Sequence, residues 1–143
     1  MKLLEYKQMP TVAALMQAFP YFAEPNTSVA YILELMKTHN IRHIPIKYDD
    51  RIVGIVSERD LRWMGSPAIA LPDTDEIPVH HVMTANPYVV EIDTPLTSVI
   101  AEMTDRKLGA AIVVSSGRLA GIVTTIDICR ALGELLESEF SDH

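Results

Sequence analysis

The chain has 143 residues, 48% of them apolar and 22% charged, with a formal net charge of −7. That composition supports a packed core and excludes general disorder, and its acidity weighs against nonspecific nucleic-acid binding, which needs basic surface to displace phosphate counterions. No apolar run approaches the roughly 18 residues of a membrane-spanning helix, and Met1–Pro10 does not read as a signal peptide. A single cysteine, Cys129, cannot form an internal disulfide, so the expected setting is a reducing cytoplasm. Cys129 lies in an apolar helical pattern and is expected to be a small buried hydrophobe.

After an N-terminal segment (residues 1–11), the run "PYFAE" at 20–24 reads as a short β-like stretch following a proline. Thr27 then stands where a helix N-cap belongs, and Val29, Ile32, Leu33 and Met36 recur at helical spacing. A strand "HIPIKY" (43–48), a turn at Asp49-Asp50 and a strand "RIVGIV" (51–56) follow, and "SERDLRWMG" (57–65) reads as a second helix. Residues 66–78 have the Pro, Ser and Asp content of a linker. The series then begins again. "PYVVE" is at 87–91, with Thr94 at the N-cap and Pro95 at the first helical position. Leu96, Val99, Ile100 and Met103 form the helical stripe, followed by "AAIVVS", Ser116-Gly117, "RLAGIV" and the helix "TTIDICRALGELLESEF".

Gly121 minus Gly54 is 67, and that offset runs without a gap from residues 12–61 to 79–128: Val12 meets Val79, Met16 meets Met83, Pro20-Tyr21 meets Pro87-Tyr88, and Met36 meets Met103. Two copies of one unit, β-α-β-β-α, are therefore present, the first at 12–65 and the second at 79–138, with a tail at 139–143. About 50 residues cannot bury both faces alone, so the expected fold is mixed α/β (α+β), two repeats packed with pseudo-twofold symmetry.

Both copies end alike, as "GIVSERDL" at 54–61 and "GIVTTIDI" at 121–128. Each strand runs into a helix whose N-cap is Ser57 or Thr124, with Asp60 or Asp127 three residues on. A capping box explains that spacing by itself. The other reading is a carboxylate facing a crevice, accepting hydrogen bonds from a cis-diol such as a ribose. Lys37, His39, Arg42, His43, Lys47, Arg51, Arg59 and Arg62 make a basic island in the first copy, a better match to a small anionic ligand than to a polymer, with ordinary solvated surface charge as the other reading.

The doubled unit, the Gly-h-h-(Ser/Thr)-x-x-Asp endings and the strand "IRHIPI" resemble a pair of CBS domains, the Bateman module, over residues 12 to about 135. The resemblance implies a regulatory module, not an enzyme, binding adenine nucleotides (AMP, ADP or ATP) or other adenosyl compounds in clefts between copies. It implies assembly as a homodimer and action on a separate enzyme or transporter. By that resemblance Asp60 and Asp127 match ribose-binding aspartates, and Ser57 and Thr124 the hydroxyls beside ribose and phosphate. Arg42 and His43, with Arg59, match positions that reach phosphates, and Ile55 and Ile122 flank the nucleoside. One cleft would add Thr84 and Leu108 to the Asp60 set, and the other would add Gln17 and Ile41 to Asp127 and Thr124.

The second copy departs from this. Gly109-Ala110 replace Arg42-His43, and Ile126 replaces Arg59, which puts phosphate binding there in doubt; Arg106 and Lys107 are the nearest cations in sequence. His80-His81 has no companion Cys or acidic spacing and reads as surface, not a metal site. No nucleophile–base pair, Gly-rich phosphate loop or close carboxylate dyad suggests catalysis, and no catalytic residue or required cofactor is expected. The rival readings are a ligand-independent interaction module and a binder of S-adenosyl compounds. Leu132, Leu135, Leu136 and Phe140, at near-helical spacing, suggest apolar surface that a symmetric dimer would cover.

Overall fold

The computed structural model describes residues 3–62 and 74–141. In chain order the elements are β1 (Gln17–Ala18), α1 (Val29–His39), β2 (His43–Tyr48), β3 (Arg51–Ser57), α2 (Glu58–Arg62), β4 (Thr84–Ala85), β5 (Val89–Glu91), α3 (Leu96–Arg106), β6 (Ala110–Ser115), β7 (Arg118–Thr124) and α4 (Thr125–Phe140). They fall into two compact units, one formed by Pro20–Pro87 and the other by Met1–Phe19 with Tyr88–His143. The stretch before each Pro-Tyr dipeptide is thus housed with the body of the other repeat. The end of the helix expected over 57–65, and residues 66–73 of the linker, lie outside the described residues.

In the Pro20–Pro87 unit, β2 and β3 form an antiparallel hairpin, and β4 pairs on the far edge of β3. The core gathers Val29, Ile32 and Met36 of α1, Ile44 and Ile46 of β2, Val56 and Leu61, closed by Val79. The other unit repeats this with β6 and β7 as the hairpin and β1 on the far edge of β7. Its core holds Leu96, Val99 and Met103 of α3, Ala111, Val113 and Val123, closed by Val12. Val12 and Val79 are equivalent, and each seals the core of the opposite repeat. Three backbone bonds per unit accompany them: Val12 N–H to the Thr94 carbonyl, Leu96 N–H to Pro10 and Phe19 N–H to Ala120 in one; Val79 N–H to Thr27, Val29 N–H to Ile77 and His80 N–H to Pro25 in the other.

The offset of 67 extends to backbone irregularities. The six non-glycine residues with positive φ among those described form three pairs: Phe19 and Asn86, Asn40 and Lys107, Asp49 and Ser116. Asn40 and Lys107 are the left-handed C-caps that stop α1 and α3. Both hairpins shift register at the same place, between Ile46 and Lys47 and between Val113 and Val114. The repeated glycine also has a packing cause. A Cβ on Gly54 would collide with the Met83 sulfur and come within 3.0 Å of the Thr84 carbonyl oxygen, while one on Gly121 would lie 2.5 Å from the Met16 sulfur and 2.9 Å from the Gln17 carbonyl oxygen. The first residues of Gly-Ile-Val therefore serve the edge strand that crosses them.

Three expectations are corrected. The helices begin one residue later than the threonines suggest, with Ser28 capping α1 by accepting from Tyr31 N–H at 3.2 Å, and Pro95 at the N-cap of α3. Thr27 instead accepts from Glu24 N–H through its hydroxyl, closing the turn before the helix. The first β-like run contracts to a single bridge from Ala23 to Ile46, whereas its counterpart forms β5. Cys129 is exposed, because Asp127, Ile128 and Ala131 carry the inward face of α4 and Cys129 lies on the opposite side of the turn.

Candidate functional site

In the Pro20–Pro87 unit, β3 delivers Ser57 to the start of α2. Ser57 N–H donates to Asp60 Oδ2 at 2.9 Å, and Asp60 N–H donates back to the Ser57 hydroxyl at 3.2 Å, a reciprocal capping box. Glu58 N–H donates to the Arg42 carbonyl at 2.8 Å, which sets Arg42 beside the helix start. Its guanidinium reaches Glu58 at 3.5 Å and remains 72% exposed, and Arg62 lies 3.7 Å from the same carboxylate. His43 stands directly opposite Ser57 in the hairpin, and Thr84 directly opposite Ile55. Among the described residues, Oδ1 of the half-buried Asp60 accepts from no protein donor.

The second ending uses the same cap with a different completion. Thr124 and Asp127 form a capping box, with Thr124 N–H and hydroxyl both within 3.0 Å of Asp127 Oδ2. Oδ1 is also engaged: the Gln17 carboxamide donates to it at 2.8 Å, and Arg130 approaches at 3.5 Å. Asp127 is 4% exposed, the one buried charged residue among those described. A carboxylate offers about four acceptor directions; on Asp127 four donors meet them. Thr125 N–H donates to the Gly109 carbonyl at 3.0 Å, the counterpart of the Glu58–Arg42 bond, but Gly109 brings no cation.

Arg42, His43, Ile55, Ser57, Arg59, Asp60 and Thr84 thus belong to one unit, and Gln17, Ile122, Thr124 and Asp127 to the other. Leu108 and Ile41 each fall in the unit opposite to the residues with which the resemblance groups them, and each packs on its own unit's core. The basic island is partly engaged. Lys47 places its ammonium 4.1 Å from the Phe22 ring centroid and His39 stacks on Tyr21 at 3.9 Å. At the equivalent position in the second copy, Arg106 lies 5.4 Å from the Tyr88 ring centroid and 3.7 Å from Glu102. Burial pushes the Tyr88 hydroxyl above the usual tyrosine range, Glu102 adds to the rise and Arg106 opposes it. Two residues that shape the endings, Glu58 and Arg130, escape the motif reading; their i,i+4 spacing to Arg62 and i,i+3 spacing to Asp127 were the available signals.

Comparison with known proteins agrees with this architecture. The CBS domain family model matches residues 12–63 and 79–134, and the chain belongs to that family. It is 34% identical over 108 residues to an inosine-5'-monophosphate dehydrogenase of Thermoplasma acidophilum, covering 76% of this chain and 21% of that protein. The chain therefore spans about a fifth of that enzyme's length. Among solved structures it resembles CBSX2 in complex with AMP (26% identity, TM-score 0.75, covering 88% of this chain and 98% of that one). It also resembles the CBS domain pair of protein MJ0100 in complex with 5'-methylthioadenosine and S-adenosyl-L-methionine (26% identity, TM-score 0.73, covering 86% and 99%). Among the described residues no helix is long and apolar enough to cross a membrane.

Proposed function

We propose that this chain is a ligand-sensing module that binds an adenine nucleotide or related adenosyl compound, with Asp60 as the ribose acceptor, and modulates a separate partner protein in the cytoplasm. The observation that carries this reading is the Oδ1 of Asp60, which meets no protein donor among the described residues while the capping box holds the carboxylate through Oδ2. One oxygen holds the helix start while the other stays available to a diol. Arg42 stands at the same helix start, in an exposed ion pair with Glu58 of a kind that contributes about 0–1 kcal/mol. A phosphate can draw it away at little cost. The AMP complex of CBSX2 and the methylthioadenosine and S-adenosyl-L-methionine complex of the MJ0100 pair supply the ligand class.

A carboxylate accepting from a ribose hydroxyl contributes roughly 1.5–3 kcal/mol, so Asp60→Ala is expected to weaken AMP binding about ten- to a hundredfold in calorimetry, with the fold intact by circular dichroism. Unchanged affinity for AMP, methylthioadenosine and S-adenosyl-L-methionine would reject Asp60 as the acceptor. An absence of binding by the native protein would favour the ligand-independent interaction module.

We also propose that the chain is a homodimer through α4. Ile126, Cys129, Leu132, Leu136 and Phe140 are exposed at near-helical spacing, while Leu135 is half-buried. Gly133 sits in the middle of this helix, where glycine costs about 1 kcal/mol relative to alanine. A Cβ there would meet nothing within 4 Å, so the chain's own packing does not require the glycine. Sedimentation equilibrium at micromolar concentration is expected to give a dimer, and Leu136→Asp a monomer. A monomeric native protein, with and without AMP, would refute the assembly.

A further inference from the structure

The two aspartates share a cap but differ in what occupies their outward oxygen. We infer that Gln17 is a built-in competitor for the Asp127 carboxylate, so that a ribose diol enters there only by displacing its carboxamide. This inference rests on reading Asp127 as a second ribose acceptor.

The geometry supports it at each step. Gln17 is exposed and comes from β1, a two-residue strand registered on Ile122 and Gly121 of β7, which places its side chain at the start of α4. Its Nε2 donates to Asp127 Oδ1 at 2.8 Å, the geometry a ribose hydroxyl would adopt on the same atom. Oδ2 is already taken twice by Thr124, and Arg130 reaches Oδ1 only at 3.5 Å from a largely exposed position. Gln17 is therefore the short, direct occupant of the one oxygen a diol could claim. In the other unit the equivalent residue is Thr84, registered on Ile55 just as Gln17 is on Ile122. Thr84 makes no hydrogen bond to Asp60, whose Oδ1 is left open among the described residues. One substitution at equivalent positions, Gln for Thr, thus distinguishes a self-occupied site from an open one. The edge strand pairs in both units, so its backbone does not depend on which side chain is present.

The test reads the Asp127 site alone, in a chain carrying Asp60→Ala, by calorimetric titration with adenosine. Adding Gln17→Thr, which installs the residue the other repeat uses at this position, is expected to tighten adenosine binding about tenfold, and Gln17→Ala to do the same. In otherwise native protein, Thr84→Gln is expected to weaken the tighter adenosine site by a similar factor. The Gln17 side-chain amide signals in NMR provide a readout that a merely structural glutamine would not move: on saturation with adenosine they should shift to solvent-exposed positions. Equal or weaker binding by both Gln17 variants would overturn the competitor role while the ribose reading stands. If neither the Asp60→Ala chain nor its Gln17 variants bind adenosine, while the native chain does, the ribose reading of Asp127 falls and the competitor role falls with it.

Discussion

The starts of α2 and α4 carry the same strand, the same cap and the same aspartate, yet they hold their carboxylates in opposite conditions. At α2, Ser57 engages one oxygen of Asp60, the aspartate is half-buried, and Arg42 lies beside it in an exposed ion pair. At α4, Thr124, Gln17 and Arg130 engage both oxygens of a buried Asp127, and Gly109 in the place of Arg42 brings no cation. The capping box is common to both and so says nothing about ligand binding. What separates them is the set of neighbours that local sequence does not contain: an edge strand from more than 100 residues away in one case, and an arginine at the base of the hairpin in the other. A shared motif thus serves as a scaffold in both repeats and, among the described residues, leaves one carboxylate oxygen without a donor in the first.

The sharpest way to break this comparison is to remove each carboxylate and measure stability. Asp127→Ala deletes the cap and strands the donors that converge on a buried group, so a loss of about 2–4 kcal/mol is expected in urea unfolding. Asp60→Ala deletes a cap whose remaining oxygen has no protein donor among the described residues, and about 1 kcal/mol is expected. Equal losses would mean that the extra donors on Asp127 add nothing and the two endings are energetically alike.

A smaller effect sharpens the chemical side of the contrast. Arg42 offers a planar fork of donors suited to phosphate. Arg42→Ala is expected to weaken AMP binding about ten- to a hundredfold while changing adenosine binding little, since a charge-assisted contact contributes about 1.5–3 kcal/mol. Its effect on stability should stay below about 1 kcal/mol, because the Arg42–Glu58 pair is exposed. Parallel titrations of both ligands check this, and equal losses for adenosine and AMP would make Arg42 a structural residue.

Much of this organisation is legible in the chain itself, and the reasons are local. The period of 67 survives because equivalent residues meet equivalent constraints: Met36 and Met103 fill the same core position, and Asn40 and Lys107 accept the same left-handed cap. The helices start one residue beyond the threonines because Thr27 and Thr94 and their neighbours Ser28 and Pro95 all suit a cap, and the choice depends on the carbonyls of Ile77 and Pro10 arriving from elsewhere in the chain. The exposure of Cys129 is not legible in the sequence because α4 carries apolar residues on two faces, Ala131 inward and Leu132 outward, and periodicity alone does not say which face meets the core.

The sequence alone determined that there are two copies of one unit, where the two hairpins and the main body of each helix run, and which aspartates, hydroxyls and basic residues are candidates for a ligand. These follow from repeat spacing, side-chain period and capping chemistry, all of which act over a few residues. Only the tertiary structure decided that the opening residues of each repeat complete the other repeat's core, with Val12 in the core of the second and Val79 in the core of the first. It also decided that Asp127 is met by Gln17, while Asp60 has no such partner among the described residues. Those outcomes depend on which distant backbone pairs with an exposed strand edge. Hydrogen-bonding groups on an edge accept any compatible strand, and the choice is made by burial of the side chains that travel with it.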